Sequence, residues 1–466
     1  MTATPAGSSA AATPSPAAPS RLEPLRLIGL YAATAITVGN IVGSGIFRSP
    51  HSVAQELPAP TLAILAWVIG GVLSLCGSLA LAELAVAHPK TGGLYVFIRE
   101  AFGDAWGFVF GWASLWVIKP TVIASITSVF ALYFCQALHL PKSTELPIGF
   151  AAIILLTYVN VRGIKEGAGT QSLFTTLKVI GILGLCGAAF TLVATHAPGP
   201  LPEAAAGTGA AAKPLALAFV VAMIPVLFAY DGWTDSTYVG GEIKNPRRNL
   251  PIAIVWGTVL VIAIYVLTNL AFFKVLSPTD MTRYEAVGSE TAGRLLGDWG
   301  RHALAVLVAI STFGTTNGAI LTGPRVTQAM AADGLLWKPL AALDPKRGTP
   351  VMALWVQAVL SCLWLWCAGG FEDVSGWFVT TSWLFYAITT AALFQQRRRE
   401  AKLGKQISDY RTPLYPLTPL LFVVATVGII VSDLSSSGWR AAAGVAIAAL
   451  GIPVFLLWKG RRREAA

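Results

Sequence analysis

The chain reads as an all-α membrane protein of about 12 transmembrane helices, and three observations predict it. Hydrophobic residues make up 55% of its 466 positions and charged residues only 12%, about half the charged share of a soluble domain. Apolar runs recur from Leu27 to Trp458, of the length that a bilayer core of about 30 Å requires, roughly 20 residues of helix. Basic residues gather in alternate connections between those runs.

Taken in order, apolar runs and their breakers place spans near 28–54, 61–86, 106–138, 146–161, 171–195, 215–239, 251–276, 302–323, 350–368, 373–395, 414–433 and 439–458. The first and third exceed the usual length, which a tilt or a break accommodates. Residues 1–26 precede them as a disordered cytoplasmic tail: the first twenty are uncharged Ala, Thr, Pro, Ser and Gly apart from the initial Met. They lack the basic start and apolar core of a signal peptide. Residues 461–466 form a short cytoplasmic C-terminus.

Orientation follows from Lys and Arg. With the N-terminus in the cytoplasm, the inner segments collect residues such as Arg99, Arg162, Arg247, Arg325, Arg397 and Arg411. The outer side keeps Arg48, Lys142, Lys213, Lys274, Arg283, Arg294, Arg301 and Arg440. That bias, with both termini inside, fits an even number of spans. It also accounts for the net charge of +10. A nucleic-acid interface would need a basic face with aromatic platforms on a folded domain, and no loop is long enough to build one.

Cys76, Cys186, Cys362 and Cys367 fall in or at the edge of spans and Cys135 near an outer end. They form neither a disulfide framework nor a metal-spaced set, so they read as small buried hydrophobes. No cofactor or metal is expected. No HExxH or GxSxG pattern appears, and His51, His88, His139, His196 and His302 lie at span ends or loops. An enzyme is not expected.

Two spans carry interruptions in matching places. The first contains Gly43-Ser44-Gly45, and the sixth contains Pro225 followed by Asp231-Gly232 within a few positions. Glycine costs a helix interior about 1 kcal/mol relative to alanine. Unwound backbone at membrane depth is tolerated only where it lines a cavity or meets a ligand. Glycines in membrane helices commonly serve close packing, but two coincident breaks, one beside an acid, point to a transporter of inverted repeats with its site at the midplane. Half-helix N-termini suit a carboxylate and half-helix C-termini suit an ammonium. A zwitterionic L-amino acid needs both.

The motifs have a family likeness. Gly43-Ser44-Gly45-Ile46-Phe47 resembles the first-helix motif of the amino acid–polyamine–organocation superfamily, as does Ala82-Glu83-Leu84 followed by Pro89-Lys90-Thr91-Gly92-Gly93-Leu94-Tyr95. Phe228-Ala229-Tyr230-Asp231-Gly232-Trp233, with Gly241-Glu242-Ile243-Lys244-Asn245-Pro246 and Asn249-Leu250-Pro251, resembles the L-type amino acid transporter branch and its bacterial serine/threonine-exchanger relatives. Ser311-Thr312-Phe313-Gly314 and the stretch from Asn317-Gly318 through Arg325 to Asp333-Gly334 are similar to the family's eighth span.

The resemblance implies a LeuT-like five-plus-five inverted repeat with two extra helices: residues 27–200 and 214–396 as the repeats, and 412–460 as the last two spans. It places Ile41, Gly43, Ser44 and Gly45 around the substrate carboxylate. Phe228, Ala229 and Asp231 go to the amino group and side-chain pocket, with Phe228 as a lid. It also implies that the Lys178 ammonium lies where sodium-coupled relatives hold sodium, hence sodium-independent transport. The alternative is a lysine snorkelling to the interface.

Asp231 has two readings: partner of a cationic substrate, or N-cap of the lower half of span six. The cap reading is favoured, which makes neutral amino acids the leading substrate and a cationic amino acid or polyamine exchanger the rival. Lys119 has no assigned role. Glu83 and Glu242 lie near inner ends, where gate ion pairs and solvated interface positions are both open. A non-transporting sensor is disfavoured by the short end after Lys459. Eukaryotic L-type carriers join a glycoprotein through a cysteine after span three. His139-Leu140-Pro141-Lys142-Ser143-Thr144-Glu145 has none, so no disulfide-linked heavy chain is expected. Alanine richness and short termini suit a bacterial inner membrane.

Overall fold

The computed structural model describes residues 25–193, 214–284, 286–367, 371–437 and 439–464. The tail expected over 1–26 therefore lies outside the described residues up to position 24, as do 465–466 of the C-terminal segment. The regular elements among the described residues are helices: α1 (Leu30–Ile41), α2 (Gly45–Glu56), α3 (Pro60–Ala87), α4 (Leu94–Phe102), α5 (Asp104–Ala113), α6 (Lys119–Leu138), α7 (Glu145–Arg162), α8 (Ile164–Leu192), α9 (Leu215–Ala229) and α10 (Asp235–Tyr238). There follow α11 (Pro246–Pro251), α12 (Gly257–Val275), α13 (Pro278–Arg283), α14 (Val287–Thr322), α15 (Pro324–Ala332), α16 (Val351–Cys367), α17 (Phe371–Leu403), α18 (Leu417–Ser437), α19 (Trp439–Ala449) and α20 (Gly451–Glu464). Among the described residues, ten helical stretches are long and apolar enough to cross a membrane, and two shorter apolar helices, α9 and α16, accompany them.

The surface agrees with that reading. Leu173, Leu177, Ile180 and Leu183 make one exposed stripe on α8, and Val424, Val427 and Val431 another on α18. Such stripes are unsuited to water and suited to lipid, where backbone groups must be satisfied inside each helix. Polar side chains turn inward instead: Thr37, Ser74, Asn160, Gln171, Thr268 and Asn317 are all fully buried. This is a multi-pass membrane protein whose apolar core carries buried polar side chains.

The long third span divides as its length allows. Pro120 has no N–H to offer Trp116 one turn earlier, and the helix widens into a π-helical turn over Ser114–Ile118. The freed Trp116 carbonyl accepts the Trp364 indole N–H at 2.9 Å. Span six ends near 239 as the sequence predicts, but little of its lower half is regular helix. After the break α10 is a single turn, Asp235–Tyr238, followed by a 3₁₀ turn at Gly240–Glu242.

Between α12 and α14 a loop is pinned by α13, whose N-terminus is a capping box. The Ser277 hydroxyl accepts from the Asp280 N–H at 3.1 Å, and the Ser277 N–H donates back to Asp280 Oδ2 at 3.2 Å. Arg294 donates to the same carboxylate at 2.9 Å, and with the Ser277 bonds it holds the Asp280 pKa down to about 2. A depressed carboxylate stabilises the fold above its ordinary value of 3.8 and loses that contribution as pH falls toward about 2. The thermal midpoint of the native chain should exceed that of Asp280→Asn at neutral pH, and the gap should close on acidification through this window. A gap that widens there would contradict the clamp.

Candidate functional site

Both interruptions are present, and they touch. α1 stops at Ile41 and α2 starts at Gly45, leaving Val42–Ser44 unwound. α9 stops at Ala229, and α10 does not begin until Asp235. Gly232 turns the chain between them at φ 117, a left-handed conformation that favours glycine. A Cβ on Gly232 would lie 2.6 Å from the Asn40 carbonyl carbon and 2.7 Å from the Ile41 nitrogen. A Cβ on Gly45 would lie 2.5 Å from Ala229 Cα. Glycine is thus required on each side for the broken segments to approach this closely. The Tyr265 hydroxyl on α12 sits between them, 2.7 Å from the Ile41 carbonyl and 3.0 Å from that of Ala229.

Ile41, Gly43, Ser44, Gly45, Phe228, Ala229 and Asp231 all line one cavity at this junction, together with Asn40, Val122, Ile126, Thr315 and Phe378. The first N–H groups of α2 have no side-chain cap, as at any free helix start. The Ser44 hydroxyl is buried and without a hydrogen-bond partner among the described residues. An orphaned buried hydroxyl of this kind calls for an explanation. The cavity holds only about 30 Å³, roughly the volume of one water. A ligand of amino acid size therefore requires its walls to move. Phe228, edge-on to Phe378 at 6.2 Å between ring centres, is the aromatic wall on the broken segment itself.

Lys178 does not snorkel. It is fully buried on α8 and donates to the Gly39 and Val42 carbonyls at 2.8 and 2.7 Å and to the Thr315 hydroxyl at 2.7 Å. The ammonium thus closes the free carbonyl end of α1, where a cation is favoured by the helix dipole. Bonds to a charged donor contribute about 1.5–3 kcal/mol each, so this contact fixes the unwound stretch against α8 and α14.

Asp231 requires a correction. It is not the N-cap of the lower half of span six: Thr234 precedes α10, and no side chain caps it. The turn at Gly232 carries the chain past Asp231 before the helix resumes, so the carboxylate points elsewhere. It accepts the Tyr386 hydroxyl from α17 at 2.7 Å and borders the cavity.

The partner of Lys119 is a residue that sequence reading passed over. Lys119 Nζ lies 2.7 Å from Asp235 Oδ1 and 4.3 Å from the centre of the Tyr238 ring. Asn40 donates to the other Asp235 oxygen at 2.5 Å, Gln171 to Asn40 at 3.0 Å, Asn317 to Gln171 at 3.3 Å and Asn160 to Asn317 at 2.9 Å. This buried chain joins α6, α10, α1, α8, α14 and α7 directly beside the cavity. The signal was available: an uncompensated lysine in one span demands a buried acid in another.

Toward the basic end, both glutamates form ion pairs. Glu242 meets Arg325 at 3.1 Å with both side chains buried, and Glu83 meets Arg397 at 2.7 Å and Arg411 at 3.4 Å. Beside the first pair, the Ile28 N–H donates to the Glu242 carbonyl at 3.0 Å, and Lys244 N–H donates to the Ile28 carbonyl at 2.8 Å.

Comparison with known proteins bears on this geometry. The family model described as amino acid permease matches residues 28–452. A serine/threonine exchanger of Bacillus subtilis is 31% identical over 438 residues, covering 93% of this chain and 97% of its own. The b(0,+)-type amino acid transporter 1 of Mus musculus is 31% identical over 420 residues (89% and 84%). The Asc-type amino acid transporter 1 of the same species is 31% identical over 446 residues (93% and 82%).

Proposed function

We propose that this chain, which belongs to the amino acid permease family, is a secondary transporter of neutral L-amino acids that works by alternating access, as a sodium-independent exchanger. Amino acid transport is the family's business, and the relatives are named as amino acid transporters or exchangers. One observation carries the finer reading. The free start of α2, with the orphaned Ser44 hydroxyl, faces the end of α9 across one cavity. Peptide donors and acceptors therefore border the same cavity, and parting its walls would let them meet the two ends of a zwitterion. Ile41, Gly43, Ser44 and Gly45 receive the carboxylate, while Phe228, Ala229 and Asp231 receive the amino group and side chain. The two breaks belong to inverted repeats of five helices followed by two more, and rocking of one bundle against the other opens the cavity to each side in turn.

Lys178 supports sodium independence, because its ammonium already occupies the carbonyls that a sodium ion would need. The positive-inside bias supports a plasma membrane, bacterial inner membrane by composition, with both termini in the cytoplasm. Cys135, buried on α6, supports a carrier that works without a disulfide-linked heavy chain. In proteoliposomes, external radiolabelled L-serine should enter only when the lumen holds unlabelled amino acid, at the same rate in sodium and in choline. Entry driven by a sodium gradient into empty vesicles would overturn this reading.

A second reading rests on Asp231. Freed from capping and bordering the cavity, its carboxylate could face a cationic side chain. Arginine should then compete for uptake, and Asp231→Asn should abolish that competition while sparing serine. If arginine fails to compete at all, the neutral reading stands alone.

A further inference from the structure

We propose that the cavity between α3, α4 and α17 at the basic end of the bundle binds the phosphate of an anionic phospholipid. This site is separate from the central cavity and does not rest on the proposed function. It encloses about 510 Å³, far more space than the central cavity. Its floor is apolar, with Leu84, Phe97 and Ala392 buried beneath it.

Its wall is cationic. Arg398, Arg399 and Lys402 line it from a single turn of α17. None of the three enters the ion pairs of the described residues, which on this stretch belong to Arg397, Glu400 and Arg411. The one carboxylate at the cavity, Glu100, is engaged by Lys90 at 3.2 Å, so the surplus charge is positive. His88, at the end of α3, lines it beside Gln396.

Gln396 supplies the independent observation. It lines the cavity at 7% exposure with His88 as its polar neighbour, and neither its amide oxygen nor its amide nitrogen makes a hydrogen bond of full geometry among the described residues. A buried amide is costly to leave without full hydrogen bonds, and an anionic oxygen in the cavity would accept from its N–H while meeting the cationic wall. The ligand is a lipid phosphate for two reasons. The apolar stretch of α17 ends at Phe394 and its basic run begins at Arg397, the pattern of a membrane helix meeting headgroups. The apolar floor also matches glycerol and acyl carbons, which a soluble phosphate lacks. Basic pockets between membrane helices bind anionic headgroups by this combination of charge and apolar contact.

The test is thermal unfolding of the purified full chain in neutral detergent with dihexanoyl phosphatidylglycerol, dihexanoyl phosphatidylcholine or inorganic phosphate. Phosphatidylglycerol should raise the midpoint by a few degrees in a saturable way, as expected for a ligand of the folded state. Phosphatidylcholine and inorganic phosphate should not. The exposed triple variant Arg398→Gln/Arg399→Gln/Lys402→Gln should weaken the response at least tenfold, and so should Gln396→Leu. Native mass spectrometry of the same variants should show loss of retained phosphatidylglycerol. An equal shift with phosphatidylcholine, an equal shift with inorganic phosphate, or full phosphatidylglycerol retention by the triple variant would each overturn the proposal.

Discussion

Replacing Gly232 with alanine is expected to abolish amino acid transport, while the same change at Gly184 or Gly428 leaves it near the native rate. The three glycines differ in what a methyl group would meet. At Gly232 it meets the Asn40 carbonyl carbon at 2.6 Å and the Ile41 nitrogen at 2.7 Å, and the residue must also hold φ 117. Backbone cannot rotate away as a side chain can. Strained dihedrals cost about 1–3 kcal/mol and overpacking about another 1–3 kcal/mol, and both fall on the junction of the two breaks. At Gly184 and Gly428 nothing lies within 4 Å, and alanine there improves helix propensity slightly. Uptake rates normalised to purified protein check this. Native-like transport by Gly232→Ala would mean that the broken segments need not touch.

The second large effect concerns Lys119 and Asp235. Removing one partner of a buried ion pair leaves an uncompensated charge, at a cost of about 3–5 kcal/mol. Lys119→Met and Asp235→Leu should each lower both the yield of folded protein and the rate of transport, at least tenfold for the rate. The double variant should be more stable than either single one, because no lone charge remains. It should still transport poorly, since Asn40 loses the Asp235 oxygen that holds it at 2.5 Å beside the cavity. Thermal midpoints and uptake rates of the four proteins separate the two effects. If the double variant is the least stable of the four, the pair does not work as described.

How far the site was legible follows from the distance over which each signal acts. The breaks are local matters: Gly43-Ser44-Gly45 and Asp231-Gly232 interrupt their helices within a few residues, and both were read in place. The all-α membrane fold was legible for the same reason, as an apolar run declares itself without its neighbours. Pairings were not. Tyr386, the partner of Asp231, is 155 residues away, and its hydroxyl holds the carboxylate at the cavity's border rather than at a helix end. Asp235 was passed over beside the more conspicuous Asp231, though it holds Lys119 across 116 residues. The Asn40–Gln171–Asn317–Asn160 chain was invisible residue by residue, because an amide in a span has many possible partners and only packing selects among them.

Transport by the proposed site depends on a ligand whose opposite ends meet opposite ends of broken helices. Competition against radiolabelled L-serine uptake by unlabelled L-serine, L-serine methyl ester and N-acetyl-L-serine tests this most directly. The ester lacks the carboxylate and the acetyl derivative lacks the ammonium, while the side chain is the same in all three. Only L-serine is expected to compete. If either derivative competes as well as serine does, one of the two broken ends is not holding its charge, and the zwitterion site proposed here is wrong.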